Sequence, residues 1–294
     1  MNAPARSSSL LSSLLHTSRP LSWVNTAYPF AAAMLLTTGR IDLPLVIGTL
    51  FFLIPYNLAM YGINDVFDYE SDLLNPRKGG VEGAVVDRSH HRMILVACIV
   101  ACVPFLVYLY AVGTIASAVA LTVTMVAVVA YSAKGLRFKE VPFLDSATSA
   151  THFVGPAVVG ALLPDGRLSA SAVLVLAAFF SWSMASQAFG AVQDVTADRA
   201  AGLGSIATVL GARATVLVSM GLYALAAVLL VLPWELFSLG AVLMLPYIAN
   251  IWPFRALPDE RAERANAGWR RFLWLNYLTG FLVTMLIIAQ VRWG

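Results

Sequence analysis

The sequence predicts an all-α integral membrane protein, a bundle of nine transmembrane helices around a central cavity with cytoplasmic cap loops. Its mean hydropathy is +0.77, with 59% hydrophobic and only 12% charged residues. Water-soluble domains are roughly half apolar and about a quarter charged, so this composition excludes a soluble globule. Long charge-free intervals and an uneven distribution of Lys and Arg along the chain give the number and direction of the crossings.

The predicted crossings follow from eight charge-free intervals. These are 20–39, 43–64, 93–133, 146–164, 168–193, 214–234, 236–254 and 272–291. A spanning helix needs about 20 apolar residues, so seven of the intervals suit one crossing each. The interval 93–133 is about twice that length, and Gly113-Thr114 near its middle offers a turn. Nine crossings result.

The basic residues predict the orientation, because short cytoplasmic loops retain Lys and Arg. With the N-terminus inside, all of the 19 Lys and Arg residues except Arg40, Arg167 and Arg292 fall on the cytoplasmic face. The expected location is the cell membrane, with the C-terminus outside. Because the net charge of +3 mostly reflects this rule, it indicates no nucleic-acid partner. Residues 1–18 are expected to be a flexible or interfacial segment without a signal peptide, and residues 19–294 a single domain.

A first acidic motif follows the second crossing, in YGINDVFDYESDLLNPRKGG. Asn64, Asp65, Asp68 and Asp72 have the spacing N-D-x-x-D-x-x-x-D, which places them on one face if the helix continues. Like charges at that spacing repel, so cations are expected among them. Mg²⁺ prefers oxygen ligands and commonly shares its coordination shell with substrate phosphates. The alternative interpretation is a solvated acidic loop.

A second acidic motif, in QDVTADRAAG, follows the sixth crossing on the same side. Asp194 and Asp198 are one helical turn apart. Two acidic helix ends that face each other across a bundle could hold divalent ions against a diphosphate, which makes coincidence the weaker interpretation.

Basic residues lie between the two motifs. The loop YSAKGLRFKEVPF contains Lys134, Arg137 and Lys139, which can donate hydrogen bonds to phosphate oxygens. Arg77 and Lys78 could join them, because Gly79-Gly80 lets that segment bend close to a ligand. Taken alone, the loop is also explained as an ordinary positive cytoplasmic loop.

Together these motifs resemble the UbiA superfamily of intramembrane prenyltransferases. The resemblance implies Mg²⁺-bound isoprenyl diphosphate at the acidic motifs, above a central cavity that takes a lipophilic acceptor from the membrane lipid. It implies metal-binding roles for Asn64, Asp68, Asp72, Asp194 and Asp198. Asp65 would be a ligand or would orient one. Tyr131, Lys134 and Arg137 would contact the diphosphate.

The chain also departs from that family pattern. Members that prenylate aromatic rings often continue the first motif with an Arg-Thr and then an Arg-Pro pair, whereas this chain reads NPRKGGVEGAVVDR. Members often have Lys where Gly204 precedes Ser205. The phrase NDVFDYESDLLNPRKGG is more similar to the lycopene elongases of the carotenoid branch. It implies transfer from dimethylallyl diphosphate to lycopene in C50 carotenoid synthesis.

Two other functions are alternatives. The first is prenylation of an aromatic or quinone precursor of the 4-hydroxybenzoate or dihydroxynaphthoate type. The second is a cation transporter that uses Asp65, Asp68, Asp194 and Asp198. Transporter carboxylates tend to lie near the midplane at broken helices, whereas these are expected at one edge, which favours the enzyme.

Three polar residues within the spans are candidates for the cavity lining. His152, in ATHFVG, is ionisable and lies well inside a predicted span, which makes it a functional candidate or a hydrogen-bonded packing histidine. Asn25 and Gln187 could line the same cavity or hydrogen-bond across helices. The segments 73–91 and 200–212 are expected to cover the cytoplasmic mouth.

Overall fold

A computed structural model describes residues 10–70, 87–233 and 235–293 of the chain. In this part of the chain all regular secondary structure is helical. The α-helices are α1 Leu10–Thr17, α2 Val24–Thr38, α3 Leu43–Leu53, α4 Pro55–Phe67, α5 His91–Val112, α6 Ile115–Ser132, α7 Leu144–Leu162, α8 Ala170–Val192, α9 Val195–Ala200, α10 Ile206–Val231, α11 Met244–Ile251 and α12 Asn266–Trp293. Short 3₁₀ helices extend several of them, including Leu236–Leu243 before α11.

Seven helical segments of the described chain are long and apolar enough to cross a membrane. They are Leu43–Phe67, Arg88–Val112, Ile115–Ser132, Ala170–Val192, Ile206–Val231, Leu236–Phe254 and Asp259–Arg292. The prediction of an all-α, multi-pass membrane protein is therefore confirmed. The expected crossings at 20–39 and 146–164 correspond to α2, which has only 15 residues, and to the more polar α7. The number nine stays a prediction, as do the cytoplasmic caps.

The predicted turn within 93–133 lies where the sequence placed it. α5 ends at Val112 and α6 begins at Ile115. The Thr114 side chain accepts a hydrogen bond from the Ser117 backbone N–H at 3.1 Å, and Ser117 Oγ accepts one from the Thr114 N–H at 2.9 Å. This reciprocal capping satisfies donors that the start of a helix leaves free, so one long apolar interval becomes two helices.

Two of the spanning segments are interrupted, the first within its apolar stretch and the second near its start, before Arg213. The first breaks between α3 and α4, where Pro55 lacks the N–H of a continuous helix. The Asn57 side chain donates to the carbonyl oxygens of Phe52 and Leu53 at 2.9 and 3.1 Å, which satisfies acceptors freed by the break. The second break is at Gly211, whose φ of +79° separates the first turn of α10 from the rest.

α7 lies between the two halves of the bundle and carries more buried polar side chains than any other helix of the described chain. It packs against α2, α6 and α8. Side chains of α2 to α6 form most of one buried apolar cluster, and side chains of α8 and α10 to α12 form most of a second. The buried polar side chains of α7 are Asp145, Ser146, Thr148, Ser149 and His152. Because lipid cannot hydrogen-bond such groups, they face the protein interior while large apolar side chains cover the outer surface.

Candidate active site

The first acidic motif lies at the end of α4. The expected continuous helix stops at Phe67, and Asp68 caps it with a backbone N–H to Asn64 C=O bond of 2.9 Å. Asn64 Nδ2 donates to Asp68 Oδ2 at 2.7 Å and to Ser132 Oγ, at the end of α6, at 2.9 Å. Asn64 and Asp68 therefore share a face. Asp72, Arg77 and Lys78 lie outside the described residues.

The basic loop between α6 and α7 contacts this motif. Lys139 forms a close ion pair with Asp68, and Arg137 Nη2 lies 3.8 Å from Asp68 Oδ1. The Asp68 side chain is only 7% exposed, so its charge is poorly screened by water. Arg137 also donates from Nε to Glu140 at 2.8 Å, a bond that raises the pKa of its guanidinium above the usual range. The structure thus brings together one predicted metal ligand and two predicted diphosphate-binding cations.

The second acidic motif is built on the short helix α9. Asp194 immediately precedes α9, and the Asp198 N–H donates to the Asp194 carbonyl at 2.8 Å. Leu203 N–H donates to the Asp198 carbonyl at 2.8 Å as the chain turns at Gly202, whose φ is +70°. Both carboxylates are half-buried, one helical turn apart, as the spacing predicted.

The second motif and the basic loop meet through the backbone that follows α9. A side chain at Gly204 would collide with the carbonyl oxygen of Glu140. Asp145, just beyond the loop, accepts a hydrogen bond from the Ile206 N–H at 3.0 Å. Since Asp68 contacts the same loop, both acidic motifs lie at one end of the bundle. The short distance between the backbones of Gly204 and Glu140 also explains why residue 204 is glycine, whereas lysine is common there in the UbiA superfamily that the chain resembles.

Arg19 also belongs to this region, although the sequence predicted only that it lies on the cytoplasmic side of the membrane. Its Nη2 donates to Asp65 Oδ1 at 2.9 Å, and the Asp65 side chain is fully buried. The guanidinium lies 4.1 Å from the centroid of the Tyr61 ring. Arg19 adopts a left-handed conformation with φ of 50°, which non-glycine residues rarely adopt. Asp65 is thereby directed towards the N-terminal segment.

An aromatic contact links the end of α6 to the interior of α7. The rings of Tyr131 and His152 meet edge to face with centroids 5.1 Å apart. His152 is 4% exposed, and its backbone carbonyl accepts a hydrogen bond from the Tyr56 hydroxyl at 3.2 Å. These two site candidates therefore lie side by side, with Tyr131 one residue from Ser132, the partner of Asn64.

The remaining candidates are more scattered. Gln187 Oε1 accepts a hydrogen bond from Ser149 Oγ at 3.1 Å, which joins α8 to the polar face of α7. Lys134 and Asn25 are exposed, and Lys134 forms no ion pair with the described residues. Among those residues, no three His, Cys, Asp or Glu side chains form a group that could hold a metal ion by themselves.

Comparison with known proteins adds a family and several relatives. The model of the UbiA prenyltransferase family matches residues 26–280. A protein of Corynebacterium glutamicum named "Lycopene elongase/hydratase" is 53% identical over 277 residues, 94% of this chain and 96% of that protein. A Dietzia protein named "C(50) beta-cyclic carotenoids biosynthesis protein LbtBC" is 57% identical over 284 residues, 96% of this chain. The chain spans only 66% of the Dietzia protein's length.

Solved structures share the architecture at low sequence identity. A UbiA homologue from Archaeoglobus fulgidus bound to DMAPP and Mg²⁺ has a TM-score of 0.66 and 18% identity, covering 91% of this chain and 99% of that one. A structure of digeranylgeranylglyceryl phosphate synthase has a TM-score of 0.65 and 14% identity, covering 96% and 99%. At these identities the likeness establishes the fold alone.

Proposed function

Because the chain belongs to the UbiA prenyltransferase family, we propose that it transfers a dimethylallyl group from its diphosphate to lycopene, in the synthesis of C50 carotenoids. The choice of acceptor rests on identity above 50% to relatives named for lycopene elongation or C50 carotenoid synthesis. The chemistry rests on one observation. A buried carboxylate, Asp68, lies against the Lys139 ammonium and near Arg137 at the end of an apolar bundle.

The residues near Asp68 fit a metal–diphosphate site. Asn64 Nδ2 is used by Asp68 and Ser132, which leaves the amide oxygen of Asn64 as a possible ligand. Carboxylate and amide oxygens are the ligands that Mg²⁺ accepts together with phosphate oxygens. In this proposal Asn64, Asp65, Asp68 and Asp72 act from the first motif, and Asp194 and Asp198 from the second. Bound Mg²⁺ would supply positive charge that neutralises the departing diphosphate.

The basic side chains have the complementary role. Lys139 and Arg137 turn from Asp68 to oxygens of the diphosphate and stabilise the charge that grows on it as the allylic C–O bond breaks. Tyr131, Lys134, Arg77 and Lys78 extend this set in the proposal. The pairing of Lys139 with Asp68 supports it, because the two charges lie together before substrate arrives.

The acceptor then supplies the electrons for the new bond. The terminal alkene of lycopene attacks the allylic cation, forming a C–C bond and a tertiary cation, which loses a proton or adds water. The allylic cation must be kept from water until then, and a helical bundle within lipid excludes it. His152 and Gln187, on the inner faces of α7 and α8, are the proposed cavity-lining residues, with Asn25 near the start of α2.

The proposed topology completes this arrangement. We place α2 and α7 across the bilayer as well, which gives nine crossings in the single domain 19–294. α7 supports this because its polar side chains are turned inward. The active-site loops and the N-terminus are then cytoplasmic in the cell membrane, and the C-terminus is outside.

Expression in a lycopene-producing bacterium tests the function. Pigments analysed by mass should shift from lycopene by one or two C5 units, and cells expressing Asp194→Asn should retain lycopene. The control is equal membrane insertion of both proteins. Unchanged lycopene together with a prenylated quinone precursor would reject lycopene in favour of the aromatic acceptor. Unchanged lycopene with no prenylated product would contradict the proposed acceptors altogether.

A further inference from the structure

A groove on the outer surface of the bundle lies apart from the candidate active site. It has a volume of about 450 Å³ and runs between α11 and α12. Its lining consists of Pro246, Ala249, Asn250, Arg271, Trp274 and Leu275. None of these residues belongs to either acidic motif or to the basic loop. The groove combines one cation with a largely apolar wall.

The position of the groove indicates that it opens onto lipid. Its walls belong to the spanning segments Leu236–Phe254 and Asp259–Arg292, whose most apolar windows are only 28% and 11% buried within the protein. Trp274 is 75% exposed. The groove lies at the end of both segments that leads into the charged connection 255–265, and Trp and Arg residues are common at that level of a membrane, where lipid phosphates lie.

Two neighbouring groups orient the Arg271 side chain. Its Nε donates to the carbonyl of Ala267 at 3.2 Å, and its guanidinium carbon lies 5.9 Å from the centroid of the Phe254 ring. The terminal nitrogens form no hydrogen bond with the rest of the described chain. A guanidinium beside an apolar wall is stabilised by an anion that accepts hydrogen bonds, and a phosphate fits its planar geometry.

Asn250 fixes the floor of the groove. Asn250 is only 7% exposed, and its Nδ2 donates a hydrogen bond to the Gly268 carbonyl at 2.9 Å. This bond joins α11 to α12 directly beneath the groove, so the two walls keep their separation without a ligand. The groove is therefore preformed.

We propose that this groove binds an anionic phospholipid. The phosphate pairs with Arg271, and an acyl chain packs against Trp274 and Leu275. The apolar wall favours a lipid over a soluble anion. The positive charge of Arg271 favours an anionic headgroup over a zwitterionic one that carries its own cation. This site is independent of prenyl transfer.

Native mass spectrometry of the full-length protein in detergent tests the proposal. The probes are dioleoyl phosphatidylglycerol and dioleoyl phosphatidylcholine. The wild-type protein should retain the first lipid in preference to the second. Arg271→Gln should lower its occupancy about fivefold, the effect of one basic residue near a charged membrane surface. Ala249→Trp, which fills the groove and keeps the charge, should lower it as well.

Arg270→Gln is the matched control, because Arg270 is an exposed arginine one residue away that does not line the groove. It should bind phosphatidylglycerol like the wild type. Equal loss in Arg270→Gln and Arg271→Gln would mean diffuse attraction and would overturn the site. Wild-type binding by Arg271→Gln, equal retention of phosphatidylcholine, or displacement of the lipid by inorganic phosphate would each overturn it too. Melting temperatures of the variants establish that they are folded.

Discussion

The two acidic motifs lie at the same end of the bundle but are held by different means. In the first motif, side chains from distant parts of the sequence hold the carboxylates: Arg19 pairs with Asp65, and Lys139 pairs with Asp68. In the second motif, Asp194 immediately precedes the six-residue helix α9, which carries Asp198. The close backbone approach at Gly204 and the ion pair of Arg199 with Asp259 at 2.6 Å help to position this helix. The first motif should therefore respond to loss of the cations paired with its carboxylates, and the second to a change of backbone shape at Gly204.

The largest expected effect comes from removing one carboxylate of either motif. Asp68→Asn and Asp194→Asn should each lower prenyl transfer by more than about a hundredfold, because each proposed role is to stabilise the departing diphosphate. The measurement is product formed per amount of membrane-inserted protein. Near-normal activity in either variant would remove that residue from the proposed site. The two motifs would then differ in how they affect stability and not in catalysis.

The next largest effect is expected from removing the Arg19 cation that pairs with Asp65 in the first motif. Arg19→Gln leaves the Asp65 carboxylate buried without its cation and should lower the free energy of unfolding by about 3 kcal/mol. The matched control is Arg40→Gln. Arg40 pairs with Asp42 at 3.3 Å, but its side chain is 74% exposed, so a change below about 1 kcal/mol is expected.

Thermal unfolding in detergent micelles measures both variants, and Arg19→Lys should recover part of the loss because it restores the charge. If Arg19→Gln and Arg40→Gln lower the melting temperature equally, the buried pair does not determine how the first motif is held.

The smallest expected effect concerns the backbone at the second motif. Gly204→Ala brings a methyl group against the Glu140 carbonyl and should cost about 1–2 kcal/mol of stability as the loops separate. Activity should fall with it, because the separation moves α9 away from the basic loop. Gly221→Ala is the control, since a Cβ there meets nothing within 4 Å. A neutral Gly204→Ala variant would show that the close approach is not required.

The features that could be predicted are those whose determinants are local in sequence. The four-residue spacing of Asn64 and Asp68 placed them on one face, although the helix ends at Phe67. The turn at Gly113-Thr114 followed from the length of the interval 93–133 and from the glycine near its middle. The sequence assigned Lys139 to a diphosphate bound at the acidic motifs, and that role stays a prediction. The contact of Lys139 with Asp68, 71 residues away, was not predicted.

Other features depend on contacts between distant segments and could not be predicted from one sequence. Arg19 and Asp65 are 46 residues apart, and an arginine at the start of a span is already explained by topology. The signal that could have revealed the pair is Asp65 itself, a carboxylate within the last turn of a span that needs a buried cation. The role of Gly204 depends on the backbone of Glu140, which spacing does not reveal.

The contact of Lys139 with Asp68 also has a consequence for the reaction cycle. In the resting protein the ammonium already neutralises the carboxylate, so this end of the bundle can fold within the bilayer before any ligand is present. On the proposed mechanism, arrival of the donor is an exchange of counter-ions: the lysine leaves one anion for another, and its former partner becomes free to bind metal. Departure of diphosphate returns both groups to their initial pairing, which resets the enzyme without exposing an isolated charge to lipid.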